Sequence, residues 1–240
     1  MQEILRIQNF SKTYGGNKKA VEDLSLEIEA GDIYGFIGQN GAGKTTTLRA
    51  VSGILDFEQG EIYIDGHNVK KEPVVCKSIC AYILDNPDIY DFLTGTQYLN
   101  YIADIFRVDQ RTRAERIVKY ADMFRIRDDL GKLISSYSHG MKQKLVIISA
   151  LVHSPKLLIL DEPFVGLDPE AAFKLKNVFK EMCEQGSAIF FSTHVLDVAE
   201  KLCNKIAIIK GGKIIASGNI EEVRGNSSLE TVFMEILENK

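Results

Sequence analysis

An α/β fold is predicted, with a mostly parallel sheet as its core, an antiparallel β segment ahead of it and a block of helices inserted into it. Three features of the 240-residue chain predict it. Ile33-Tyr34-Gly35-Phe36-Ile37 is short, apolar and β-prone, and runs through a glycine-rich turn into a breaker-free helical stretch, Thr45 to Val51. From Gly95 to Val152 the apolar residues recur at helical spacing in three segments. The α/β alternation then resumes at Lys156, where Leu157-Leu158-Ile159-Leu160 is wholly apolar, as strands buried on both faces are.

In chain order, residues 2–13 and 20–37 are rich in Ile, Leu and Val and are broken at Gly15-Gly16-Asn17 and Ala30-Gly31-Asp32. That pattern predicts antiparallel strands leading into the strand that ends at Ile37. On position alone, Tyr14 either closes the first turn or presents a flat ring on which a base stacks. A helix over 44–52 ends around Gly53, and Glu61 to Asp65 is a strand closed by the turn dipeptide Asp65-Gly66. Leu99, Ile102, Ile105 and Phe106 mark one helix, and Ile117, Tyr120, Ala121 and Phe124 a second. Arg125 to Ser138 is a polar connection to the third. Residues 86–152 therefore form an inserted helical subdomain, and 1–85 with 153–217 form the α/β core. Asp168 suits a helix N-cap and Pro169 its first turn. Ala172, Leu175, Phe179 and Met182 give that helix one apolar face as far as Gly186. A strand from Ala188 to Phe191 leads to Ser192-Thr193-His194 and another helix. Lys205–Lys210 and Lys213–Ser217, joined by Gly211-Gly212, form a hairpin. A tail over 218–240 ends in an amphipathic helix from Ser228 to Leu237.

Composition narrows the classes. Hydrophobic content of 45% and charged content of 26% suit a globular chain with a real core. A net charge of −4 lacks the basic footprint of nucleic-acid binders, so no nucleic-acid partner is expected. No apolar run approaches the ~18 residues of a membrane span. Met1-Gln2-Glu3-Ile4 lacks a signal-peptide layout. Cys76, Cys80, Cys183 and Cys203 are scattered, without a Cys-x-x-Cys pair, as in reduced cytosolic proteins. His67, His153, Lys142 and Lys144 are assigned solvated or structural places.

The chemistry starts at Gly38 to Thr45, Gly-Gln-Asn-Gly-Ala-Gly-Lys-Thr, which fits the phosphate-loop spacing between a strand and a helix. Its successive N–H groups form a concave nest for an anion, and the helix N-terminus adds partial positive charge. The candidate nucleotide-binding residues are Gly38, Gln39, Asn40, Gly41, Ala42, Gly43, Lys44, Thr45 and Thr46. Lys44 is expected to reach the β- and γ-phosphates, and the Thr45 hydroxyl to ligate Mg²⁺. Asp161 ends the apolar strand, where α/β sheets place ligands, and would hold the same Mg²⁺ directly or through water. Glu162 would polarise a water in line with the γ-phosphate. Taken alone, Asp161-Glu162 is also what a capped strand end looks like. Likewise Ser138 alone is a helix cap, and His194 alone a polar strand end.

Taken together, these motifs stand in a family's order. The chain resembles the nucleotide-binding subunit of an ATP-binding-cassette (ABC) transporter over nearly all of its length. Between the glycine-rich loop and Leu157–Pro163 lies Tyr137-Ser138-His139-Gly140-Met141-Lys142-Gln143-Lys144, and Gly166-Leu167-Asp168 and Ser192-Thr193-His194 follow. The middle element resembles the family signature, usually Leu-Ser-Gly-Gly-Gln, keeping Ser138 and Gly140 but carrying Tyr137, His139 and Met141. Such variants resemble the exporter branch that handles drugs, antimicrobial peptides or polysaccharides.

The resemblance implies a P-loop NTPase core, ATP and Mg²⁺ as cofactors, and ATP hydrolysis that powers export. It implies two partners, a second ABC subunit, identical or different, and an integral membrane permease subunit that holds this chain at the inner face of the cell membrane. Ser138, His139, Gly140 and Asp168 would contact ATP bound to the second subunit. Tyr14 matches the aromatic that stacks on adenine, with Val21 beneath it, and His194 the histidine that contacts the γ-phosphate. Asp85 stands where the family usually has a Gln that ligates Mg²⁺, and a carboxylate is also a hard oxygen ligand. Phe164 and Val165 replace a small polar pair. The permease contact is expected at roughly 85–106. Two other readings remain at this stage: a soluble ATP-switched regulator, and a chain that binds ATP without hydrolysing it.

Overall fold

The computed structural model describes residues 2–15, 18–85 and 89–238. Gly16 and Asn17, in the expected first turn, and Asn86, at the expected start of the helical insert, lie outside the described residues. The chain gathers into two compact units, Met1–Tyr82 with Lys156–Pro163 and Phe179–Lys240, and Ile83–Pro155 with Phe164–Val178.

The first unit opens with β1 (Glu3–Tyr14) and β2 (Lys18–Glu29), followed by β3 (Ile33–Ile37) and α1 (Lys44–Val51). Next come β4 (Gln59–Ile64), β5 (His67–Asn68), α2 (Pro73–Ile79) and β6 (Cys80–Ile83). β1, β2, β4 and β5 form an antiparallel sheet in the order β2-β1-β4-β5. Asp65 (φ 49°) and Gly66 (φ 83°) both take left-handed torsions between β4 and β5, which is the chemistry of a two-residue hairpin turn. α2 was not anticipated. It has only seven residues and starts on Pro73, whose fixed torsion suits a first helical position.

The later strands are β7 (Leu157–Asp161), β8 (Ala188–Thr193), β9 (Lys205–Lys210) and β10 (Lys213–Asn219). With β3 and β6 they form a second sheet in the order β10-β9-β3-β8-β7-β6. β3 runs parallel to β8 and β9, and β7 parallel to β8, while β10 closes the edge antiparallel to β9. Every residue of β3, β7 and β8 is buried, which is why those segments are near-continuous apolar runs. One core joins the two sheets, with Ile4, Ile7, Phe10 and Leu24 from one and Phe36, Ile159 and Phe190 from the other. The ring of Phe190 meets Tyr34 edge-on at 5.9 Å and Phe36 at 5.5 Å. Each such fully buried side chain contributes about 1.5–3 kcal/mol of transfer free energy.

The second unit carries α3 (Gly95–Ile105), α4 (Gln110–Met123), α5 (His139–Val152) and the start of α6 (Pro169–Glu184). Each start has a side-chain cap: a Thr94/Gln97 capping box, Asp109, Ser138 and Asp168. The apolar face of α3 differs from the expected one. Tyr98, Leu99 and Ala103 are buried, whereas Ile105 is 55% exposed. Phe106 stacks on the ring of His153 at 3.7 Å, so His153 has a structural place. On α6 the buried face is Ala171, Leu175, Val178, Phe179 and Met182, with Ala172 only half-buried. The tail of the chain, in the first unit, adds α7 (Leu196–Leu202), α8 (Ile220–Arg224) and α9 (Leu229–Glu238). Among the described residues no helix is long and apolar enough to cross a membrane.

Candidate functional site: a phosphate loop and a signature turn

The loop between β3 and α1 is pressed onto a floor of backbone. A Cβ on Gly43 (φ 113°) would fall 2.6 Å from the Ala20 carbonyl and 3.1 Å from Val21 Cγ2, and one on Gly38 would fall 2.6 Å from the Ile209 carbonyl. Only glycine fits either position. Val21 is fully buried and backs the loop. α1 has no side-chain cap and no acidic residue in its first turn, so nothing in its own sequence competes with an anion for those amides. Gln39, Asn40 and Gly41 are exposed, Ala42 is buried, and Thr45 and Thr46 are half-buried.

Lys44 is only 6% exposed. Its Nζ donates to the carbonyls of Gly38 (2.7 Å) and Gln39 (3.2 Å), curling the loop around the ammonium. An ammonium has three donors, so one remains for a ligand. Burial draws its pKa below the usual lysine value, against the opposing pull of Glu162 and Asp161.

At the end of β7 the Thr45 hydroxyl donates to Asp161 Oδ2 at 2.6 Å. The hydroxyl of Ser192 donates to Asp161 Oδ1. The β7–β8 register places Ser192 directly opposite Asp161, and Ser192 Oγ also accepts the Glu162 N–H at 3.2 Å. Ser192 is therefore a positioning residue that motif spacing alone did not single out. Glu162 adopts φ 49°, uncommon for a side-chain-bearing residue, and its Oε1 lies 2.8 Å from His194 Nδ1. Strained backbone of this kind clusters at functional sites.

Thr45 and Asp161 offer an adjacent hydroxyl and carboxylate, the hard oxygen donors that Mg²⁺ takes. Among the described residues, no group of three His, Cys, Asp or Glu side chains is placed to hold a metal. A Mg²⁺ here therefore fits only with phosphate and water completing its octahedron. Tyr14, at the end of β1, is 42% exposed, and Lys12 Nζ lies 5.9 Å from its ring centre. Asp85 is exposed and belongs to the second unit.

Within the second unit the signature turn and the segment 166–168 pack together. Ser138 caps α5 by accepting the Met141 N–H at 3.3 Å. A Cβ on Gly166 would fall 2.8 Å from the His139 ring, and one on Gly140 would fall 3.0 Å from the Gly166 carbonyl. Asp168 accepts the Lys144 ammonium at 2.6 Å and the Ala171 N–H at 2.8 Å. The Lys144 hydrogen bond, then the Ala171 amide, hold its carboxyl below the usual aspartate range. Lys144 thus has a structural task, as does Lys142, which pairs with Asp91 at 2.6 Å. Tyr137, at a position where the signature departs from its usual form, is a buried strut. Its hydroxyl donates to the Asp129 carbonyl at 2.7 Å and occupies the space a Cβ on Gly95 would need. Phe164 is half-buried beneath Lys176, whose Nζ lies 5.5 Å from its ring centre, and Val165 is exposed.

A glycine cradle on an uncapped helix, a buried lysine and a carboxylate at the end of β7, one strand removed from β3, define a P-loop nucleotide-binding fold. Comparison with known proteins carries this to a family. The family described as ABC transporter matches residues 21–165. An uncharacterised ABC transporter ATP-binding protein of Bacillus subtilis, YhcH, is 33% identical over 98% of this chain and 76% of its own length. A solved ATP-binding subunit of an ABC transporter superposes with a TM-score of 0.94 at 30% identity, covering 98% of this chain and all of that one. A dimeric ATP-binding cassette in a post-hydrolysis state with ADP and Pi shares the fold at a TM-score of 0.82 and 21% identity, over 90% of this chain and 99% of its own. The chain belongs to the ABC transporter ATP-binding family, and it is an ATP-binding subunit with the fold of an ATPase.

Proposed function

We propose that this chain powers export through a separate membrane subunit by closing on ATP as one of a pair of cassettes and reopening after hydrolysis. The observation that carries the proposal is the hydrogen-bonded array Thr45–Asp161–Ser192, with Lys44 and the Glu162–His194 pair in the same unit. Lys44 and the loop amides bind the β- and γ-phosphates, and Tyr14 stacks on the adenine. Bound Mg²⁺, held by Thr45 and Asp161, would neutralise charge on the transferred phosphoryl group. Glu162 orients the attacking water and His194 fixes the Glu162 carboxylate, so most of the catalysis is positioning and electrostatics. Ser138, His139, Gly140 and Asp168 serve the nucleotide held by the facing subunit, whether an identical or a different cassette. The exporter reading is supported by the Tyr137-Ser138-His139-Gly140-Met141 signature, and it sets the chain on the inner face of the membrane.

Glu162→Gln tests this directly. It is expected to retain ATP binding, measured by equilibrium binding of a fluorescent ATP analogue, while phosphate release falls by about 10²-fold or more. Turnover at the wild-type rate would remove Glu162 from its role. Direction is tested by co-purifying the membrane subunit, reconstituting the pair in vesicles and following cargo after adding ATP on the cassette side. Movement away from the cassettes supports export, and movement toward them contradicts it.

A further inference from the structure

The turn between β9 and β10 grips the phosphate loop from a side that no motif marks. Gly212 (φ 82°) donates its N–H to the Ala42 carbonyl at 3.0 Å, while its own carbonyl accepts the Glu22 N–H at 2.9 Å. A Cβ on Gly212 would fall 2.9 Å from the Ala20 carbonyl and 3.1 Å from Val21 Cα. This is the same stretch of β2 that lies under Gly43. The end of β9 closes the packing, with Ile209 Cδ1 3.3 Å from a Cβ on Gly43 and its carbonyl against Gly38. A trans peptide points its C=O and N–H in opposite directions. Fixing the Ala42 carbonyl on the hairpin therefore turns the Gly43 N–H away from it.

Two residues before Gly212, Lys210 reaches the other way. Its Nζ donates to the carbonyls of Ile236 (2.8 Å) and Leu237 (3.1 Å). Both lie in the last turn of α9, where carbonyls lack intrahelical partners and a cation is favoured. One tight turn thus links the C-terminal helix to the nucleotide-binding loop.

We infer that Gly212 is a positioning residue for nucleotide binding, holding the Ala42–Gly43 peptide in place, and that α9 sets this hold through Lys210. The inference rests on the loop binding ATP. Coupling of this kind is reciprocal, so ATP on the loop must also steady the hairpin.

Four measurements on the full chain test it. In wild type, Mg-ATP is expected to slow backbone hydrogen exchange both at residues 38–46 and at 211–213. Lys210→Met, which keeps the stem and drops the ammonium, is expected to weaken ATP binding about 3- to 10-fold, with KM rising more than kcat falls. Lys210→Arg, which retains the donors, is expected to restore binding. Gly212→Ala places a Cβ into the Ala20 carbonyl and is expected to weaken binding more than Lys210→Met. Protection of 38–46 without 211–213, or folded Lys210→Met with wild-type ATP affinity, overturns the inference. Should Gly212→Ala fail to fold, the exchange experiment and the Lys210 pair decide. Absence of protection at both segments would mean that the loop does not take ATP, and the inference would fall with that reading.

Discussion

The phosphate loop and the signature turn are both helix N-termini, yet they are built in opposite ways. The start of α1 has no side-chain cap; its buried lysine donates to the Gly38 carbonyl, and the buried strand-end Asp161 accepts the Thr45 hydroxyl. The start of α5 is capped by Ser138, which is exposed together with His139, and Asp168 is exposed as well. The first region is preorganised by its own unit. The second presents exposed polar groups held, among the described residues, by two helix-cap bonds and the Lys144 ammonium, as expected of a surface completed by another molecule. In the proposed function, one chain therefore carries a finished half-site and an open one.

Lys44→Ala is the largest expected blow to the finished half. It removes the buried ammonium around which the loop curls, and ATP affinity and hydrolysis are expected to fall by about 10²- to 10³-fold. Ser138→Ala separates the halves. The isolated chain is expected to keep its ATP affinity, while hydrolysis by the assembled pair falls by about 10²-fold. The lost cap costs the α5 terminus about 1 kcal/mol, readable in a urea titration. If Ser138→Ala also lowered the ATP affinity of the isolated chain, the two half-sites would not be separate.

Ser192→Ala is smaller and falls on the finished half. It strips a hydrogen bond from buried Asp161 and an acceptor from the Glu162 amide, costing about 1–3 kcal/mol of stability. Supporting residues of this type typically move activity by about tenfold or more, so kcat is expected to drop while Lys44-dependent ATP binding persists. The smallest effect lies at Asp168. Its depressed carboxyl pKa means that its pairing with Lys144 and the Ala171 amide contributes stability above the unfolded value, about pH 3.9, and that this is lost as pH falls through the lower folded value. Asp168→Asn is expected to flatten that part of the acid-unfolding curve. Because Asp168 is exposed, the difference is expected to be slight and to shrink with salt.

What the sequence made legible follows the same division. The strand–loop–helix run and the apolar strand ending at Asp161 carry local signals strong enough to place Lys44, Thr45, Asp161 and Glu162 before any coordinates. Ser192 needed strand register, because its task exists only where β8 lies beside β7. Composition suits Lys144 to a structural or solvated place, and its pairing with Asp168 depends on tertiary packing that spacing does not encode. α2 escaped because seven residues hold too little periodicity to register. On α3 the apolar stripe is wider than the face it buries, so helical spacing turns Ile105 inward whereas it lies outward. Gly211-Gly212 was legible as a turn, but its hold on Ala42 was not, since that bond joins residues far apart in the chain.

The central claim is that one nucleotide is held by the phosphate loop of one chain and the signature turn of another. Thiol crosslinking tests it most directly, because the native cysteines are poor competitors. Burial pushes the Cys80 and Cys183 thiols up to about 12 and raises those of Cys76 and Cys203. In a Glu162→Gln background, chains carrying Gln39→Cys are mixed with chains carrying Ser138→Cys and treated with a short bis-thiol reagent. The account predicts a crosslinked dimer that forms with Mg-ATP and is absent without nucleotide. Equal crosslinking with and without ATP, or none under either condition while ATP is bound, would contradict it.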